Sequence, residues 1–341
     1  MYLCSYWHPP DSLALRLSAL TSFSLASGAF SGGLAGVISR LGGIAGLAPW
    51  QWIFLVEGCV TMVLGVAIFF LLIDWPEPTT SWINPEELRF LTLQRSVKDG
   101  GDATIQNVTL RDDIKAIVGD WRYWAFGGFF FCIGALGSGL EFVIPSMIRG
   151  LGYSRAQGGM FSTIPYVCGF IMSLGSSWAS DVFRYRSIFA VSGLFAITLG
   201  LGLISLTASG GTRSSRLGNI TAGMSLITSG VFPMVPIVGS WVSNNTRTPR
   251  RQAIALGLVM AIGGLGGLAS PFIFKDSETP EYPTGIKASF GLTAAGLLII
   301  SILVWSYGGE NKKMARREAE EAATAENPRE DGVQTYQRYM L

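Results

Sequence analysis

Two carboxylates stand inside otherwise uncharged apolar stretches, Glu57 and Glu141. A charge at the centre of a bilayer costs about 2.5–3.5 kcal/mol on insertion scales, so such residues mark function by default. Gly134, Gly137 and Ser138 precede Glu141 by seven, four and three positions and share its face on a helix. A small, polar stripe ending in a carboxylate suits a cavity wall and a group that carries a proton. The competing reading places Glu141 near the outer interface, paired with Arg149. Glu57 lies about five residues inside its stretch, where a structural hydrogen bond competes with a direct role. Farther along, Ser225, Thr228, Phe232 and Pro236 recur at helical spacing, and Phe232 with Trp241 could stack on a flat organic solute. Packing is the alternative for both rings. Asp181 with Arg184 and Arg186 is either a charge constellation able to form and break a gate or a solvated loop that places its arginines by the positive-inside rule. Nothing else suggests catalysis. His8 is the only histidine, and Cys4, Cys59, Cys132 and Cys168 lack metal-ligand spacing. No enzyme activity, metal, cofactor or nucleic-acid partner is expected.

The elements that position these residues follow from composition. The 341 residues are 49% hydrophobic and only 14% charged, with a mean hydropathy of +0.40. A soluble domain carries about 25% charge. Uncharged runs of about 20 residues, enough to cross about 30 Å of hydrocarbon, predict eight helices near 17–39, 52–73, 124–148, 157–179, 187–208, 219–242, 252–274 and 288–307. The class is an all-α polytopic membrane protein. With an even number of spans both ends share a side, and 18 of the 25 Lys and Arg fall on that side against seven opposite. The positive-inside rule then puts both ends and the loop 74–123 in the cytosol. In that loop, Asn84-Pro85-Glu86-Glu87 predicts a short helix to about Arg95. The tail after Glu310 is predicted helical to about Ala323. Its Lys312, Lys313, Arg316 and Arg317 either contact anionic lipid heads or serve simple positive-inside anchoring.

Longer motifs carry a resemblance. Trp50-Gln51-Trp52-Ile53-Phe54-Leu55-Val56-Glu57-Gly58 followed by Asp74-Trp75-Pro76 resembles the sixth helix of major facilitator transporters. More narrowly it is similar to the fungal allantoate/nicotinate permease group, the anion:cation symporter branch. Leu151-Gly152-Tyr153-Ser154 before Thr163-Ile164-Pro165-Tyr166 is similar to that family's seventh-to-eighth helix turn. Ser180-Asp181-x-x-Arg184-x-Arg186 resembles the second copy of the superfamily's cytosolic loop signature. Trp241-x-x-Asn244-Asn245 with Arg250-Arg251 resembles the loop between helices ten and eleven. Pro280-x-Tyr282-x-x-Gly285 and Arg338-Tyr339-x-Leu341 resemble the approach to the last helix and the family's terminal residues.

The resemblance implies a major facilitator fold of two six-helix bundles rocking around a midplane site, with helices five to twelve present. Tyr6-Trp7-His8-Pro9-Pro10 aligns with the end of helix four, so the alignment reads as an N-terminal truncation. The units are then 1–73, a remnant of the first bundle; 74–123, the central loop; 124–309, the second bundle; and 310–341, the tail. Asp181, Arg184, Arg186, Asn244, Asn245 and Arg250 become cytosolic gate candidates. Gly28-x-x-x-Gly32-x-x-x-Gly36 is expected to face the span at 157–179, through Gly169, Ser173 and Ser177. Gly263-x-x-x-Gly267 is expected to face a helix outside this chain. Gly263-Gly264-Leu265-Gly266-Gly267 also departs from the family's Gly-Asn-x-Gly-Gly. The implied function is proton-coupled transport of a small organic anion across the plasma membrane. A non-transporting truncated membrane protein and a metabolite efflux carrier are the alternatives.

Overall fold

A computed structural model describes residues 2–8, 12–71, 84, 86, 89, 109–153, 155–209, 212–246, 248–279, 281–324 and 339–340. The helix expected from Asn84 to Arg95 lies, apart from three isolated positions, outside the described residues. Regular structure among the described residues is helical throughout: α1 Tyr2–Trp7, α2 Leu13–Ile38, α3 Pro49–Leu71, α4 Leu110–Gly119, α5 Trp121–Gly150, α6 Arg155–Phe183, α7 Arg186–Ser205, α8 Arg213–Asn244, α9 Pro249–Ile273 and α10 Pro283–Thr324. The eight helices of 20 residues or more coincide with the eight expected spans. Six of them are, over the described residues, long and apolar enough to cross a membrane. α10 continues to Thr324, so the last span and the helical tail form one 42-residue rod.

Local chemistry sets the boundaries. Pro49 and Pro249 open α3 and α9, at a position whose N–H would have no helical partner. Thr109, Asp120, Thr212 and Thr248 cap α4, α5, α8 and α9 through their side chains. Glu278, five residues ahead of α10, accepts the Thr284 N–H at 2.8 Å. Arg184 ends α6 with a φ of 59°, a left-handed turn that a non-glycine residue adopts only under tertiary constraint.

Packing then follows small residues. α5 pairs most extensively with α9, α7 with α8, α6 with α8, and α2 with α6. At the α7–α8 crossing, Gly200 faces the carbonyl of Gly223 and Gly230 that of Gly193, approaches that leave no room for a Cβ. The α5–α9 crossing works the same way. A Cβ on Gly134 would meet the Gly263 carbonyl oxygen, and one on Gly266 the Phe131 carbonyl oxygen. This corrects an expectation. Gly263 and Gly267 face α5 of this chain, against Phe130, Gly134 and Ser138, rather than a helix outside it. The sequence motif identified a close-packing face but carried no information on which helix fills it. The outer surface is apolar, with Phe69, Phe272 and Trp305 each 81% exposed, as lipid contact requires.

Candidate functional site

The small polar stripe divides between two neighbours. Gly134 and Ser138 face α9, Ser138 lying beside Gly267, whereas Gly137 faces Val231 on α8. Glu141 belongs to the helical backbone of α5, and its side chain lies outside the described ones. Glu57 is exposed, on a helix with no buried residue. On α8, Ser225 bonds back to Thr221 at 2.8 Å, the usual local arrangement of a serine within a helix. Thr228 is buried and donates its hydroxyl to the carbonyl of Pro165 on α6 at 2.7 Å. One turn on, Phe232 packs against Gly169 and lies 6.2 Å from the Tyr166 ring. Thr228 and Phe232 therefore meet α6 at its proline, and Gly169 faces α8 rather than α2. The expected pairing of α2 with α6 is present, but through Gly28 against Tyr166 and a buried hydrogen bond between Ser18 and Ser173 at 3.1 Å. Ser177 is buried. Gly36 has nothing near it.

The richest polar chemistry lies at one end of the bundle, where α6 gives way to α7. Asp181 and Arg186 form an ion pair at 2.6 Å with side chains 7% and 0% exposed. The same carboxylate accepts the backbone N–H groups of Ala14 at 3.3 Å and Leu15 at 2.8 Å. Ser12, the residue before α2, contributes no side-chain cap to that helix. Asp181 supplies it from 166 positions away. Three favourable terms thus converge on one acid: two helix-start N–H groups, the positive end of α2 and a guanidinium. Ser180 completes the arrangement by accepting from Arg186 at 3.1 Å. Arg184 is exposed on the turn between the helices.

A second acid occupies the same end. Asp113, buried on α4, binds Arg251 at 2.8 Å and Arg250 at 3.5 Å at the start of α9. Of the two arginines, sequence reasoning selected Arg250, and geometry gives Arg251 the shorter bond. It missed Asp113. The available signal was the Asp112-Asp113 pair in the first turn of a helix beginning at Thr109. Arg122 binds Glu310 and Ser306 and lies over the Tyr307 ring, 4.9 Å from its centroid. Trp241 is fully buried, 5.2 Å from Phe126, and its indole N–H donates to the Met340 carbonyl at 2.8 Å. Asn244 and Asn245 both reach Met340. Such an array of ion pairs at helix ends can hold the spans together at this end of the bundle, and its pairs can open without breaking the helices themselves.

Comparison with known proteins agrees with this architecture. Residues 1–271 match the family model described as Major Facilitator Superfamily. A protein of Penicillium expansum named MFS-type transporter cnsO is 29% identical over 89% of this chain and 59% of its own length. MFS transporter prlL of a fungal species is 26% identical, over 93% and 63%. The high-affinity nicotinic acid transporter of Saccharomyces cerevisiae is 24% identical, over 92% and 56%. The chain thus spans about three-fifths of the length of the curated relatives it matches. With eight long helices among the described residues, glycine-packed crossings and a match over most of its length, this integral multi-pass membrane chain belongs to the Major Facilitator Superfamily.

Proposed function

We propose that the chain serves secondary active transport of a small organic anion, of carboxylate, vitamin or nitrogen-source type, coupled to protons. The observation that carries the reading is the buried Asp181–Arg186 pair. It holds α2 against α6 and α7; on the proposed division of the chain into 1–73 and 124–309, that contact lies at the seam where two rocking bundles part. Opening at this end then costs a charge-assisted cap and an ion pair, a barrier that substrate and proton binding elsewhere can offset. Glu141 is the proton-carrying candidate, with Gly134 and Ser138 on its helix and Ser225, Thr228, Phe232 and Trp241 on α8 as substrate-path candidates. The allantoate/nicotinate resemblance, together with the nicotinic acid transporter among the relatives, supports the carboxylate class. The charge bias supports cytosolic ends and a cytosolic 74–123 loop; the plasma membrane is the site this reading assigns.

A second reading is favoured by α3, whose residues are all partly or fully exposed: the 341 residues alone do not complete a path. Reconstitution into liposomes with an imposed pH gradient separates the two. Saturable uptake of labelled nicotinate above protein-free vesicles, lost in Glu141→Gln at equal protein level, supports proton-coupled transport. Uptake equal to empty vesicles supports the second reading. Saturable uptake without pH dependence overturns the coupling. Orientation is tested on sealed spheroplasts, where external protease should leave 74–123 uncut.

A further inference from the structure

The same end of the bundle holds a short segment in a manner that reads its backbone. Tyr339 and Met340 lie against α5, α8 and α10, and all four main-chain polar groups of the pair are bonded to side chains. Asn311 accepts the Tyr339 N–H at 2.7 Å and donates to its carbonyl at 2.8 Å. Asn245 does the same for Met340, accepting at 2.8 Å and donating at 3.0 Å. Trp241 adds a second donor to the Met340 carbonyl at 2.8 Å. A carboxamide presents one acceptor and one donor side by side, the pattern a neighbouring β-strand would offer, so each asparagine recognises a residue's backbone whatever its side chain. Side-chain selectivity is added chiefly at Tyr339. Its ring sits 5.0 Å from Tyr307, with the Arg122 guanidinium 5.8 Å from its centroid. At Met340 the thioether accepts a weaker contact from Asn244 at 3.2 Å.

We propose that Trp241, Asn245, Tyr307 and Asn311 form a peptide-binding cleft for an extended aromatic-aliphatic dipeptide, and that its resident ligand is the chain's own Tyr339–Met340 segment. The cleft draws on two helices that are far apart in sequence, and its ligand spans them. Occupancy therefore ties the ends of α8 and α10 together, with α5 joined through Arg122. The asparagine at 245 ends α8, where a helix leaves backbone carbonyls and side chains free to turn outward. The one at 311 lies on α10 beyond the last expected span, on the tail side of Glu310.

Amide hydrogen exchange on the full chain in nanodiscs, followed by mass spectrometry, tests the assignment. Peptides covering Tyr339 and Met340 should exchange at least about tenfold more slowly than the free hexapeptide Tyr-Gln-Arg-Tyr-Met-Leu. The double variant Asn245→Ala, Asn311→Ala should exchange there at the free-peptide rate while the interiors of α8 and α10 stay protected. Free-peptide exchange in the unaltered chain overturns the proposal. So does protection that survives the double substitution. Should that variant lose its helical protection as well, a chain ending at Arg338 provides the second measurement. It should bind the labelled hexapeptide saturably, and not the version N-methylated at the tyrosine and methionine that correspond to 339 and 340. Equal binding of both peptides, or of neither, overturns backbone recognition.

Discussion

α2 and α3 are neighbours in the chain and equally plausible as membrane spans, yet they meet opposite fates. α3 is the more hydrophobic of the two and has no buried residue. α2 buries Leu13, Ala14, Leu17 and Ser18 completely or nearly so against α6 and α8. Lipid tails solvate leucine as well as another helix does, so hydrophobicity gives no reason for spans to associate. What α2 has and α3 lacks is polar and small-residue complementarity. The α2 N-terminus receives Asp181, Ser18 meets Ser173 and Gly28 admits Tyr166. The polar groups of α3 bond within it or to the turn just before it: Gln51 accepts from the Ala48 N–H, the Trp52 indole donates to the Ile44 carbonyl and Thr61 donates to the Glu57 carbonyl.

The largest test of this contrast removes the acid. Asp181→Ala leaves Arg186 buried without its carboxylate and uncaps α2, and breaking such a pair costs about 3–5 kcal/mol. Unfolding of the purified chain by SDS titration should shift by that amount, with exchange protection lost first in α2. A shift below about 1 kcal/mol would mean that the pair does not hold α2.

Next comes a matched pair of glycine substitutions. Gly266→Leu drives a side chain into the Phe131 backbone at the α5–α9 crossing and should cost about 1–3 kcal/mol or more. Gly65→Leu on α3, where nothing lies within 4 Å, should stay within about 0.5 kcal/mol. Equal effects would erase the distinction between packed and unpacked spans. Smaller again is Ser18→Ala, which removes one buried interhelical hydrogen bond. It should cost about 0.6 kcal/mol in the same titration, whereas Thr61→Ala on α3 should cost less.

The smallest effect is a pH dependence at the entrance to α2. Burial, and secondarily the charge of Arg16, hold His8 below its ordinary value near 6.5. The unfolded chain then binds a proton before the folded chain does. Stability should be constant above about pH 6.5, decline as the pH falls below it, and level off once folded His8 is protonated too. His8→Gln should flatten that decline.

Much of the fold is legible in the residues alone. The eight long helices fall where uncharged runs predicted them, and α10 extends to Thr324, where the charged tail was expected to remain helical. The candidate site was legible in part. Asp181 and Arg186 stood out because an acid and an arginine at a span end are conspicuous against apolar surroundings, whereas Asn245 and Arg250 came from the family resemblance of the stretch from Trp241 to Arg251. Asp113 did not, since an acid in a polar loop looks solvated until Arg251 is placed beside it. Trp241, the candidate platform for a solute, also donates its indole N–H to the Met340 carbonyl, a bond with no signal in the sequence. The Gly134–Ser138 stripe suggested a cavity wall, and its small residues admit α9 and α8.

By itself, the sequence determined that this chain spans a membrane repeatedly as helices. Apolar runs of that length have no water to satisfy their backbones, and a helix pairs nearly all of its N–H and C=O groups within one segment. Those are local properties, written in consecutive residues. Only the tertiary structure decided which faces meet. Gly263 and Gly267 meet α5, Asp181 caps a helix 166 positions earlier, and two asparagines on different helices converge on one dipeptide. The physical reason is that a small residue or an unpaired carboxylate specifies a need for a partner. Its identity depends on how eight rods pack together, which is not a property of any one stretch of chain.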